Sequence, residues 1–196
     1  MSPTDPRLQL APPDSKARVW LFVLVVMLPV LLVTAILAWE ALGGQAQDSV
    51  GGGIALSSLA TLGGVMLLTL ALWWVLARFM HRQALSLDAA RLEVRSSFYR
   101  TSVALDALDL EHARVVDLDE RTELRPALKT NGFALPGFRS GWFRLRNRRR
   151  AFVALAAGRR RLWLPTRGGH DLLLEPRDAR ALLERLRELA GASARR

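Results

Sequence analysis

The chain has 196 residues, a formal net charge of +10 and no cysteine. A disulfide framework, thiolate catalysis and cysteine-held metal are therefore excluded, and His81, His112 and His170 are scattered without metal-ligand spacing. Three of the 28 basic residues and four of the 18 acidic ones precede Arg78, so the excess positive charge lies in the C-terminal part.

Residues 1–18 carry four prolines and no apolar periodicity, the composition of a disordered tail. From Val19 to Trp39, and again from Ile54 to Ala77, no charged residue occurs. As helices these stretches reach about 31 Å and 36 Å, enough for a bilayer core of about 30 Å. They predict a transmembrane hairpin over residues 19–82, with spans at about 19–42 and 54–77. Trp20, Trp39, Trp73 and Trp74 stand near the span ends, where an indole keeps its N–H wet and its ring in the apolar layer. The connector from Glu40 to Gly53 has no Lys or Arg, whereas Lys16, Arg18, Arg78 and Arg82 flank the outer ends. The positive-inside rule then puts both termini in the cytoplasm. Pro29 is expected to kink the first span, and Gly63–Gly64 to allow close helix contact in the second. The spans hold no ionisable residue in their interiors. They lack the groups that proton relays and ion-coupled transporters use, and read as an anchor.

Residues 85–190 predict a small antiparallel sheet or barrel capped by a C-terminal helix, an α+β class. Strands are expected at Leu92–Val94, Phe98–Leu105, Ala113–Leu118, Trp142–Asn147, Ala151–Ala157, Arg161–Pro165 and Asp171–Glu175, from their β-branched, aromatic or alternating patterns. The helix begins near Pro176, with Asp178 at the positive end of its dipole. It presents Leu182, Leu183, Leu186 and Leu189 as an apolar stripe and ends at Gly191, before a tail over 191–196. Asn131–Gly132 and Pro136–Gly137 read as tight turns, and Gly141 as a bulge or close approach.

The stretch Thr130-Asn131-Gly132-Phe133-Ala134-Leu135-Pro136-Gly137-Phe138, then Gly141-Trp142-Phe143-Arg144-Leu145, Leu164-Pro165-Thr166, and the junction Asp171–Asp178 resemble the bacterial pleckstrin-homology-like domains. Members often attach such a domain to one or two membrane spans. The resemblance covers roughly Leu85–Leu189 and implies a helix-capped antiparallel barrel at the bacterial inner membrane. The chain departs from the pattern at Glu175, where the family usually has Ser, which weakens the expected helix cap. In this comparison Thr130, Asn131, Gly132, Pro136, Gly137 and Gly141 form a structural turn motif.

Chemistry-bearing patterns are sparse. No P-loop or dinucleotide glycine pattern occurs, Asp117, Asp119, Glu120 and Glu123 read as a solvated acidic run, and His170 beside Asp171 has no placed nucleophile. No catalytic, cofactor-binding or metal-binding residue is assigned, and the expectation is a non-enzymatic protein with no cofactor. Two basic runs remain, Arg148, Arg149 and Arg150 in one hairpin turn and Arg159, Arg160 and Arg161 at the next, on opposite sheet ends. Each basic residue near an anionic bilayer contributes about 1 kcal/mol, so these six are the candidate contacts to anionic lipid headgroups or a protein partner. The partners expected are the membrane, anionic headgroups, and a protein partner or second copy. Nucleic acid is not among them, for want of a contiguous groove or interleaved exposed aromatics. The alternative is a subunit of a larger transport or envelope complex in which the hairpin is the working part.

Overall fold

The computed structural model describes residues 9–42, 53–88 and 90–193. The chain divides into two units, one of residues up to Ala17 together with Phe79 onward, the other of Arg18–Arg78.

The described residues of the second unit lie within two long helices, α1 (Ser15–Leu42) and α2 (Gly53–Met80). Both are long and apolar enough to cross a membrane, and only 11% and 6% of their most apolar windows are buried. Leu31, Leu32, Leu56, Leu67 and Leu68 are each more than half exposed, unlike the stripe of a soluble core helix. Phe22 meets Trp73 edge-on with ring centroids 5.6 Å apart. That contact joins a residue in the first third of α1 to one in the last third of α2. At Val23–Met27 the helix widens into a π-turn, and the Leu28 N–H donates to the Val23 carbonyl. Pro29 follows directly: its ring would press on the carbonyl four residues back, and the widened turn relieves that clash. A Cβ built on Gly63 or Gly64 would meet nothing within 4 Å, so the close contact expected at this pair is not made. The connector lies outside the described residues except at its ends.

The first unit is an α+β domain. Strands β1 (Gln83–Leu87), β2 (Arg91–Ser96) and β3 (Tyr99–Ala104) form an antiparallel meander. Strands β4 (Arg114–Val116), β5 (Pro126–Leu135), β6 (Phe138–Leu145), β7 (Arg150–Leu155), β8 (Arg161–Leu164) and β9 (Asp171–Leu174) form a second sheet in the order β4-β8-β9-β7-β6-β5. Helix α3 (Ala179–Ser193) closes the domain. The second sheet is mixed rather than antiparallel, because β9 runs parallel to β7. The reason is burial: all four residues of β9 and five of six in β7 are buried, so both strands need neighbours and cover on two faces. β8, whose Arg161 and Trp163 are only half-buried, lies between β9 and the short edge strand β4.

The mixed sheet separates two cores. Phe152, Ala154, Leu162, Leu164, Leu172 and Leu174 face the meander and α3, where Leu92, Val94, Leu182 and Leu186 meet them. On the opposite face Ala151, Val153, Leu155 and Leu173 join Phe143, Leu145, Leu118 and Leu124. The two sheets are also tied by a buried hydroxyl contact, in which Ser140 donates to the Ser96 carbonyl at 2.8 Å.

Several expectations are corrected. Asn131–Gly132 is no turn: both lie inside β5, paired with Trp142 and Gly141. The reason is close packing, since a Cβ at Gly132 would sit 2.9 Å from Phe143 and one at Gly141 (φ +111°) 2.7 Å from the Asn131 carbonyl. Thr130 falls at a register shift of β5, with its hydroxyl donating to the Trp142 carbonyl at 3.0 Å. Pro136–Gly137 does form the two-residue β5–β6 turn, with Gly137 at φ +81°. Helix α3 starts at Ala179, not near Pro176, because Asp178 accepts the Arg180 and Ala181 N–H groups at 3.1 and 3.0 Å and caps it. It continues through Gly191. The chain before residue 18 is ordered from Gln9: Ala11 donates to the Glu175 carbonyl, Arg177 to that of Gln9, and Leu10 enters the first core. Residues 1–8 and 194–196 lie outside the described residues.

Candidate functional site

The two arginine runs have different fates. Arg148–Arg150 close the β6–β7 hairpin. The Arg148 N–H donates to Leu145 and the Leu145 N–H to Arg149, and Arg148 sits in the left-handed region at φ +68°. Arg149 turns inward: its guanidinium donates to the fully buried Asp171 carboxylate at 2.7 Å and to the Thr166 carbonyl at 3.1 Å. Asp171 also accepts from the Trp163 indole at 3.2 Å and the Thr166 N–H at 3.3 Å. The Arg150 guanidinium lies 5.7 Å from the Trp142 ring centroid. Trp142 in turn packs edge-on against His170 at 4.6 Å, and His170 contacts the Thr101 hydroxyl at 3.1 Å. Burial lowers the His170 pKa from its ordinary value and the Arg150 charge lowers it further, with Asp171 acting in opposition. This run thus braces the sheet, and Arg148 alone among its members has no side-chain contact of this kind.

Arg159–Arg161 follow β7 at the other end of the sheet, and they do not point into one patch. The loop that carries them is clamped by Glu175, whose buried carboxylate accepts the Ala156 N–H at 2.9 Å and the Gly158 N–H at 2.8 Å. Burial raises the pKa of Glu175 against those two hydrogen bonds and the charge of Arg161. Glu175 therefore holds this loop, while Asp178 caps the helix. On one side of the loop, Arg159 and Arg160 meet Arg177 and Arg180 around an open cleft of about 430 Å³. On the other, Arg161 faces Arg125 and Arg139 across an open cleft of about 700 Å³, which Lys16, Asp14, Asp119 and the Pro136–Gly137 turn complete.

The larger cleft sits at the mouth of the second core, with Leu118 and Leu155 on its wall. Arg139 stands opposite Leu155 in the β6–β7 pairing, and Arg161 opposite Val116 in β4–β8. The segment from Leu118 to Arg125 carries the chain from the β4 edge to the β5 edge and brings Arg125 to the same mouth. Arg125 is partly neutralised by Asp119 and donates to the Leu118 carbonyl at 2.6 Å. Among the described residues Arg139 has only a 3.5 Å contact to the Pro126 carbonyl. The Arg161 Nε is buried without a hydrogen-bond partner among the described residues. Burial and the charges of Arg161 and Arg125 lower the Arg139 pKa, the mark of like charges held together.

Sequence reasoning placed Arg161 among the candidate contacts, read Lys16 only as a flank of the first apolar stretch, and did not name Arg125 or Arg139; these residues are far apart in the chain and join only when the sheet forms. The outward position of Arg139 between buried Phe138 and Ser140 is the one local signal for it. Among the described residues no group of three or more metal-ligating side chains occurs. No family model, no curated protein and no solved structure matches this chain.

Proposed function

We propose that this is a non-enzymatic, two-span membrane protein with both termini in the cytoplasm, presenting its α+β domain at the inner face of a bacterial membrane as a binding module. The observation that carries the reading is the pair of leucine-covered helices, exposed over nearly all of their apolar length. In water such surface is unfavourable by about 25 cal/mol per Å², and a hydrocarbon layer removes that penalty. The basic C-terminal part supports cytoplasmic placement and an anionic partner. The pleckstrin-homology-like assignment belongs to this proposal: two sheets and a closing C-terminal helix favour it, and the parallel β7–β9 pair departs from it.

Of the six arginines expected to meet lipid or partner, Arg149 is taken up by Asp171, so the reading places the contact chiefly on Arg159–Arg161. The test is alkaline carbonate extraction of membranes carrying the full chain. Retention in the pellet with release only by detergent is expected, and release by carbonate alone would overturn the anchor.

A further inference from the structure

We propose that the cleft framed by Arg125, Arg139 and Arg161 is a binding site for a phosphate-class oxyanion, free or carried on a lipid headgroup. It deepens the binding-module reading by giving the ligand its chemistry. Three guanidinium groups from three separate places in the chain converge on one concavity of about 700 Å³, where each raises the electrostatic energy of the others. Arg125 braces its own loop through the Leu118 carbonyl and Asp119, whereas Arg139 and Arg161 have no carboxylate partner among the described residues. Arg149, by contrast, is matched to a buried carboxylate.

The acidic groups nearby do not satisfy the site. Asp119 pairs with Arg125, Asp14 accepts from its neighbour Ser15, and both oxygens of Glu175 are held by backbone N–H groups. Arg139 and the buried Nε of Arg161 are left with donors to spare. A phosphate presents several oxygens in a geometry that guanidinium forks match in pairs, and Lys16 at the rim adds a point charge. On the rim Gly137 contributes backbone and no side chain.

Binding is measured on the full chain in neutral detergent micelles at constant ionic strength balanced with chloride. Thermal unfolding is followed against inorganic phosphate, and separately against phosphatidic acid doped into the micelles. The account predicts a saturable rise in the unfolding midpoint with at least one probe. Arg161→Gln and Arg139→Gln should each weaken the response by about tenfold or more, the worth of one charge-assisted hydrogen bond. Arg100→Gln, at an exposed position of β3 outside both clefts, should leave it unchanged. If Arg161→Gln does not fold, Arg161→Lys replaces it, keeping the charge and losing the fork. A response to inorganic phosphate marks a free ligand, and a response to phosphatidic acid alone marks a headgroup. No response to either probe overturns the proposal, as does a response that survives the Arg161 and Arg139 variants or is weakened equally by Arg100→Gln. Carbonate extraction is unaffected by any of these results, so failure here and failure of the membrane anchor are told apart.

Discussion

Replacing Arg149 by Met leaves a carboxylate buried at the centre of the sheet without its charged partner. Asp171 is fully buried, and of its three donors Arg149 is the nearest, at 2.7 Å, with Trp163 at 3.2 Å and Thr166 at 3.3 Å. A hydrogen bond to a charged group is worth about 1.5–3 kcal/mol, and stranding a buried charge outright costs about 3–5 kcal/mol. The two remaining donors and the 49% exposure of the Arg149 side chain bring the expected loss to about 2 kcal/mol. Asp171→Asn removes the charge that needed Arg149. In that background Arg149→Met should therefore be milder by about 1 kcal/mol, the coupling that a double-mutant cycle reads. Urea unfolding of the full chain in neutral detergent, followed by tryptophan fluorescence, measures all four proteins. A single variant as stable as the parent, or additive effects in the double variant, would refute the account of Arg149 as a structural brace.

Arg148 occupies a left-handed conformation that disfavours a side chain by about 1–2 kcal/mol. Arg148→Gly should raise the urea midpoint, by about 1 kcal/mol in stability after glycine's own entropy is counted. Gly141→Ala combines φ +111° with a Cβ only 2.7 Å from the Asn131 carbonyl. It should lose more than about 3 kcal/mol, while Gly168→Ala, where a Cβ meets nothing, should stay within about 0.5 kcal/mol. His170 favours the neutral form in the fold because its pKa is lowered there from 6.5. The unfolded chain then binds more protons as pH drops, and stability falls below about pH 6.5. Replacing it in His170→Gln should flatten that acid limb of the unfolding midpoint.

How far the sequence reaches depends on whether the deciding forces are local. The apolar helices were legible because two uncharged stretches need no tertiary context, and β6 because Phe143 and Leu145 alternate with Arg144 and Arg146. The stripe of Leu182, Leu183 and Leu186 marked α3, and its start shifted only because Asp178, not Pro176, engages the first N–H groups. β5 was missed because Asn131-Gly132 carries strong turn chemistry locally, while its conformation is set by a backbone approach to Gly141 on the partner strand. The parallel placement of β9 beside β7 has no local signature either. The same limit applies to the arginines: runs are visible in sequence, but whether each one braces a carboxylate, as Arg149 does, or faces a cleft, as Arg161 does, is decided by strands far away in the chain.

The absence of cysteine makes topology directly measurable, because each introduced thiol is unique. Ser49→Cys probes the connector between the two apolar helices, and Gly168→Cys the exposed β8–β9 turn. Intact bacterial cells producing each variant would be treated with a membrane-impermeant maleimide before and after lysis. The account predicts labelling at position 49 in intact cells and at position 168 only after lysis. Labelling at both positions before lysis, or at position 168 alone, would contradict a two-span anchor with a cytoplasmic domain.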